Sequence, residues 1–474
     1  MYFTFQDFYN TLPLTIIGAG ILLAIVIEIY SNKSEQILPW FSVIIYLLAA
    51  SHSLATIFTR EIYFNGMLGV GGNVHIFYAI FNIAGIIIAL LSIDYIKKYG
   101  MYYGEYYILL MISILGMMFM ASARDLFMVF LGLEVMSICF YAMAGLNRRL
   151  LKANESSLKY FLLGSFATGF LVYGVALIYG ASNTTSFDVL RQNISSLTTN
   201  IMFLTGLLML LIGLSFKIAA FPFHMWVPDV YQGTSTTVAG IFSTGGKAAA
   251  FSALVVIFSQ VFGGSLNSFM PYLAIISVLS MFYGAIVAIA QTDIKRMLAY
   301  SSISHAGYII IGLAASNNDG IAGVVFYLIA YTFMNLGAFG IVALVEGKNE
   351  ENLTLSSYAG LSNKKPVYAA LLAILMFALA GLPPFSGFFS KYYIFIAAVK
   401  SGLTWLAVLG VLSSTISVYF YIRIIVLMYF RDSEKDFDIH KSPIGLAAVI
   451  IAVIFVIALG IMPGDVLALI TSNL

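Results

Sequence analysis

Fourteen apolar runs follow one another with almost nothing between them, and this constrains the fold more than any motif does. A helix that crosses a membrane needs about 20 apolar residues. The runs cover 11–30, 38–58, 74–96, 106–122, 126–147, 156–180, 201–221, 237–262, 271–291, 296–316, 321–346, 366–397, 403–430 and 443–470. In hydrocarbon every backbone polar group must be satisfied within the protein, so runs of this length become helices. The 474 residues are 61% hydrophobic and 9% charged, whereas soluble domains carry roughly 25% charged residues. The reading is an all-α polytopic membrane protein of about 14 transmembrane helices, with 1–474 as a single membrane domain.

Loop charge fixes the expected orientation. Connections after odd-numbered runs hold fourteen Lys and Arg: 33, 97, 98, 148, 149, 152, 295, 296, 348, 364, 365, 431, 435 and 441. Connections after even-numbered runs hold four: Arg60, Arg124, Arg191 and Lys400. The positive-inside rule puts the odd connections in the cytoplasm and both termini on the outer face. A missed helix would scramble this alternation, so the bias also supports the count. No secretory signal peptide is expected, because the first basic residue, Lys33, follows the first apolar run. The chain stops soon after the fourteenth run, with no long C-terminal arm. A net charge of +2 gives no reason to expect nucleic acid. The lone Cys139 excludes an intrachain disulfide, and five scattered histidines show no metal-ligand spacing.

The chemistry is confined to a short list. Five of the cations lie inside runs: Lys159, Lys217, Lys247, Lys391 and Arg423. Among the carboxylates, only Glu134 lies near the middle of one. A bare charge at the bilayer centre costs about 2.5–3.5 kcal/mol on insertion scales, so it is rarely there without use. Glu134 reads either as a protonated acid bonded between helices or as the ionisable partner of a lysine on the sixth or seventh run. A buried lysine can take and give a proton near neutral pH, which arginine cannot. Lys217 precedes Pro222, and Pro383-Pro384 precede Lys391, so the seventh and twelfth helices should be interrupted. Lys247 follows Gly245-Gly246, which leave room for water or a neighbouring helix. Lys159, near a helix end, reads equally as a snorkelling side chain. His224, past the first break, and His305, inside the tenth run, read as packed residues or as relays. Arg423 reads as a structural pair. The two breaks, with a shared cadence of Asp, Ser and Tyr in the fifth and tenth runs, suggest a duplicated transporter-like half.

The segments SFKIAAFPFHMWVPDVYQG, STGGKAAAF, QTDIKRMLAYSSISHAGYIIIG and LAGLPPFSGFFSK carry a resemblance. They are similar to the antiporter-like membrane subunits of complex I, the respiratory NADH-quinone oxidoreductase. The run KYFLLGSFATGFLVYGVALIYGASNTTSF is similar to the subunit N branch of that family. Related cation/proton antiporter subunits usually have a leucine-rich run ending in Lys-Val-Gly in place of STGGKAAAF. The resemblance implies two inverted five-helix repeats, 105–262 and 271–430, flanked by helices 1–3 and 14. It implies a proton path on Glu134 and Lys217 as an interacting pair, Lys247 as central relay and Lys391 on the second broken helix. Lys159 and His305 match accessory positions, and His224 is kept beside them as a candidate. It implies a proton-translocating subunit of an NADH:quinone oxidoreductase in a bacterial plasma membrane, coupled to quinone reduction and carrying no redox centre. NADH, FMN, iron–sulfur clusters and quinone are expected in partner subunits, and neighbouring membrane subunits and the lipid bilayer are the expected contacts. The alternative is a subunit of the related multisubunit cation/proton antiporters, which uses the same residues with different partners.

Overall fold

The computed structural model describes residues 5–64, 66–101, 104–262, 269–347, 352–432 and 442–474. Lys348, Lys435 and Lys441, counted among the loop cations, lie outside them. After a short helix Phe5–Asn10 come α1 (Leu12–Tyr30) and α2 (Ser34–Ala55). Strands β1 (Arg60–Tyr63) and β2 (Leu68–Gly71) form an antiparallel hairpin, with Arg60 opposite Gly71. Then follow α3 (Asn73–Lys98), α4 (Glu105–Ser122), α5 (Leu126–Ala144) and α6 (Leu151–Ser182). The first interrupted crossing is α7 (Ile201–Ile218) and α8 (Trp226–Gly233). Next are α9 (Thr236–Phe262), α10 (Met270–Ile289), α11 (Ile294–Ala314) and α12 (Asn318–Val345). The second interrupted crossing is α13 (Pro366–Ala380) and α14 (Ser386–Lys400), followed by α15 (Thr404–Phe430), α16 (Pro443–Ile461) and α17 (Pro463–Ser472). Among the described residues thirteen helices are long and apolar enough to cross a membrane. The α13–α14 pair makes the fourteenth.

Two details depart from the sequence reading. The β hairpin was not foreseen, because each strand is only 4 residues long. The last apolar run is not one helix: α16 ends at Ile461 and Pro463 starts α17, since proline suits a first turn but not a helix interior.

Two matching helices start where a short polar side chain accepts a first free N–H group. Asp125 caps α5 through Phe127 N at 2.8 Å, and Asp293 caps α11 through Arg296 N at 2.9 Å. The capped starts are also tied alike to a distant loop. Leu126 N donates to the Thr185 carbonyl and Ile294 N to the Leu353 carbonyl. Packing between helices relies on small residues. A Cβ on Gly174 of α6 would stand 2.6 Å from the Gly206 carbonyl of α7, and one on Gly206 would stand 2.8 Å from the Gly174 carbonyl.

The breaks form as the prolines require. α7 stops at Ile218, four residues before Pro222, where the ring would clash with a continuing helix. Ala219 takes a left-handed φ of 64°, and Ala220 N bonds the Ser215 carbonyl. α13 stops at Ala380, Gly381 takes φ 86°, and Leu382 N bonds the Phe377 carbonyl. Both are the six-to-one bond of a glycine-type helix end. The Phe221–Pro222 and Pro383–Pro384 peptide bonds are cis.

α9 is buried over nearly its whole length, and α11 and α12 are nearly as enclosed. α1, α6 and α15 present most of their surface outward. The helix that carries Lys247 is therefore the centre of the bundle. Two of its turns are π-helical, Phe242–Gly246 and Ile257–Phe262. The first ends immediately before Lys247, as π turns often do near functional side chains.

Candidate functional site

Three lysines are held inside the bundle, each in a different way. Lys217, in the last turn of α7, is 5% exposed and donates to the Tyr141 hydroxyl of α5 at 3.0 Å. Its ammonium lies 5.0 Å from the Tyr141 ring centre and 5.3 Å from that of Tyr160, a geometry that favours a cation. Lys247 is 1% exposed and donates to both the carbonyl and the hydroxyl of Ser302 on α11. Lys391, on α14, reaches back to the end of α13 and donates to the Ala380 carbonyl at 2.8 Å, to Leu379 at 3.4 Å and to Ser414 Oγ of α15 at 2.8 Å. The last carbonyls of a helix have no partner within it and carry its negative pole, so an ammonium is well placed there.

Glu134 and Lys217, expected as an interacting pair, are each bonded to a hydroxyl rather than to one another. The Glu134 carboxylate accepts from Thr168 Oγ1 of α6 at 2.6 Å. Tyr141, seven residues along the same helix face, takes the lysine instead. The room expected beside Gly245-Gly246 is taken by protein. A Cβ on Gly246 would meet the Phe140 ring at 2.6 Å, and one on Gly245 would meet Met117 Sδ at 3.0 Å.

Polar side chains of α11 lie between Lys247 and Lys391. On α11, Ser302, His305 and Tyr308 recur at three-residue spacing and share a face. His305 is 2% exposed, with Nδ1 at 2.6 Å from the Tyr327 hydroxyl and Nε2 at 3.0 Å from that of Tyr421. Tyr421 also bonds Ser301. Tyr308 bonds Ser413 and Ser417 and lies beneath the Lys391 ammonium, 5.1 Å from ring centre to Nζ. The charges of Lys391 and Lys247 both act on His305. From Lys217 to Lys247 the contacts run instead through rings. Tyr160 lies 5.5 Å from Phe242, in the π turn before Lys247, and Phe140 lies 4.3 Å from Phe242.

The accessory candidates separate. Lys159 is 43% exposed and bridges Glu155 at 2.7 Å and Asp229 at 3.0 Å. Asp229 of α8 also holds Arg296 of α11 at 2.7 Å. Lys159 thus belongs to a surface ion network that ties α6, α8 and α11, not to the buried set. His224 packs between Phe221 and Tyr283, with its Nδ1 unpartnered. No hydrogen bond links it to the lysines. Arg423 donates to the Ile289 carbonyl at 3.1 Å, as a structural residue does. Sequence reasoning missed the hydroxyls of Tyr141, Ser302, Tyr308, Tyr327 and Tyr421, counted the buried Lys295 among the loop charges and passed over Glu346 at the end of the eleventh run. The regular spacing of Ser302, His305 and Tyr308 was the available signal for part of this set.

Residues 123–417 match the family model described as NADH:quinone oxidoreductase/Mrp antiporter, transmembrane. The chain is 40% identical over 461 residues to NADH-quinone oxidoreductase subunit N 1 of Chloroherpeton thalassium, covering 97% of this chain and 96% of that one. It is 42% identical to the subunit N of Trichlorobacter lovleyi, over 96% and 93% of the two chains. A chain of respiratory complex I from Thermus thermophilus superposes with a TM-score of 0.83 at 31% identity, over 97% of this chain and 99% of that one. The Mrp complex of Dietzia sp. DQ12-45-1b gives a TM-score of 0.87 at 19% identity, over 98% and 96%, which is a likeness of fold. With its two proline breaks, enclosed lysine helix and near-complete cover of curated relatives, the chain belongs to the NADH-quinone oxidoreductase subunit N family.

Proposed function

We propose that this chain translocates protons as a membrane subunit of a respiratory NADH-quinone oxidoreductase, using Glu134, Lys217, Lys247 and Lys391. The observation that carries the reading is the pair of enclosed lysines, Lys247 and Lys391, with Ser302, His305 and the tyrosine hydroxyls between them. A hydroxyl or imidazole can accept a proton on one side while giving one on the other. Lys247, at the bundle centre, is the relay. Glu134 acts on Lys217 across Tyr141, and Lys391 serves the second break. The repeats 105–262 and 271–430 are inverted copies in this reading. The equivalent caps Asp125 and Asp293 support it, because they follow an even and an odd crossing and so stand on opposite faces. The odd connections face the cytoplasm, in a bacterial plasma membrane. Neighbouring membrane subunits flank the chain, and NADH, FMN, iron–sulfur clusters and quinone belong to partner subunits. The relation to the subunit N proteins favours this over the cation/proton antiporter reading, since Mrp is similar only at 19% identity.

The test is proton uptake into inverted membrane vesicles, driven by the native electron donor and normalised to assembled complex. Lys247→Arg keeps the charge but cannot release a proton, so it is expected to assemble and pump several-fold more slowly. Lys247→Ala is expected to fail as well. Wild-type pumping by Lys247→Arg would sink the relay role and leave Lys247 as a fixed charge.

A further inference from the structure

The most deeply buried carboxylate among the described residues is off the lysine axis. Glu346 closes α12 and is 1% exposed. Its Oε2 accepts from the Tyr95 hydroxyl of α3 at 3.1 Å and from Thr236 Oγ1, at the start of α9, at 2.7 Å. The Tyr95 oxygen in turn accepts Thr236 N–H at 3.1 Å. The Lys98 ammonium donates to the Glu346 carbonyl. Across the same turn Lys295, also 1% exposed, donates to the Thr234 carbonyl at 2.7 Å. A buried acid and a buried base therefore flank the turn from Gly233 to Thr236. This turn joins the second half of the first broken crossing to the helix of Lys247. Beside the carboxylate is a small cavity lined by Asn147, Ala153, Ser235 and Glu346, with room for about one water.

An anchoring role explains the hydrogen bonds but not the choice of a carboxyl over an amide. A neutral glutamine would accept from Tyr95 and Thr236 equally well, and removing an ion from water is costly. The position supplies a reason. Glu346 lies on the face of the odd-numbered connections. Lys247 follows Thr236 by eleven residues, about 16 Å along a helix. Tyr231 of α8, 1% exposed, lies beside Ser302, which holds Lys247.

We propose that Glu346 takes up protons from the cytoplasm for Lys247. This rests on the relay and the orientation argued above. A proton from water neutralises the carboxylate. When Lys247 is an amine, the carboxyl gives that proton up by way of the hydroxyls at Thr236, Tyr231 and Ser302, and the carboxylate is restored.

The experiment compares Glu346→Gln, Glu346→Asp and Lys247→Ala, each as assembled complex in inverted vesicles, across pH. Glu346→Gln keeps the hydrogen bonds and loses the titratable group. It is expected to pump at least fivefold more slowly, with the alkaline limb of its pH profile moved to lower pH, because uptake then depends on scarce free protons. Glu346→Asp shortens the reach but stays acidic, and should recover most of the rate. Wild-type rate and pH profile in Glu346→Gln overturn the proposal. Failure of Glu346→Asp to assemble or pump overturns it too, whatever Glu346→Gln does, because it marks Glu346 as an anchor. Normal pumping by Lys247→Ala would instead sink the relay reading, so the two failures are distinguishable.

Discussion

At the scale of single residues, each of the four groups proposed to act has a hydroxyl among its partners. The proposed coupling of Glu134 to Lys217 illustrates this. The carboxylate bonds Thr168 and the ammonium bonds Tyr141, so the proposed coupling crosses a phenol rather than a direct contact. A double-mutant cycle of Glu134→Gln and Lys217→Ala in pumping rate should be non-additive by about 0.5–3 kcal/mol. Tyr141→Phe should reduce that interaction by half or more while the complex assembles. Strict additivity in the cycle, or an interaction unchanged by Tyr141→Phe, would remove the coupling. The charges were legible because an ion in an apolar run stands out against its surroundings. The hydroxyls were not, because tyrosine and serine are common in packed membrane helices and nothing local marks which ones face a lysine. Lys295 and Glu346 were passed over for a related reason. Both lie near the ends of apolar runs, where charge is ordinary, and only the packing of α3, α9, α11 and α12 encloses them.

At the scale of elements, the breaks were the most readable feature, because proline and glycine act on the backbone directly. Gly381 shows how closely a break and a charge can be matched. Its φ of 86° suits glycine, and a Cβ there would stand 2.9 Å from both Cδ and Nζ of Lys391. Gly381→Ala should cost about 1–2 kcal/mol of backbone strain and displace the lysine as well. Gly402, with φ 77° and open space around it, supplies the control. Gly381→Ala is expected to pump markedly more slowly per assembled complex, and Gly402→Ala to pump normally. Equal rates would show that the contact with Lys391 is immaterial. The π turns of α9 were not readable. Gly245-Gly246 marked the place, but the close fit of Phe140 and Met117 comes from other helices. The order of burial was equally hidden, since α9 is apolar on every side and shows no face that points inward.

At the scale of the whole molecule, length, composition and loop charge specified the crossings with little help from motifs. The proposed topology is exposed to a direct check. A reporter that is active only outside the cytoplasm, fused after Leu474, should be active. A reporter fused in the connection at Arg148 should be silent, because that connection lies on the opposite face. The reverse pattern would invert the molecule, and with it the assignment of Glu346 to the cytoplasmic side. Legibility stopped at the relation between the halves. The loop ties that pair Asp125 with the chain near Thr185, and Asp293 with the chain near Leu353, join segments some 60 residues apart. A distance of that kind is set by the folded bundle and leaves no local trace.

In the proposed cycle, where Lys391 gives up a proton, its partners act as a proton counter. An ammonium has three N–H bonds, and the Ala380 carbonyl, the Leu379 carbonyl and Ser414 Oγ supply three acceptors. Once the proton leaves, the amine has two N–H bonds and a lone pair. The two carbonyls cannot reverse, since they only accept. Ser414 can, by turning its hydrogen toward the nitrogen. Departure of one proton is thereby written into the direction of a single hydroxyl on α15, and each further turn of the cycle has to rotate it back.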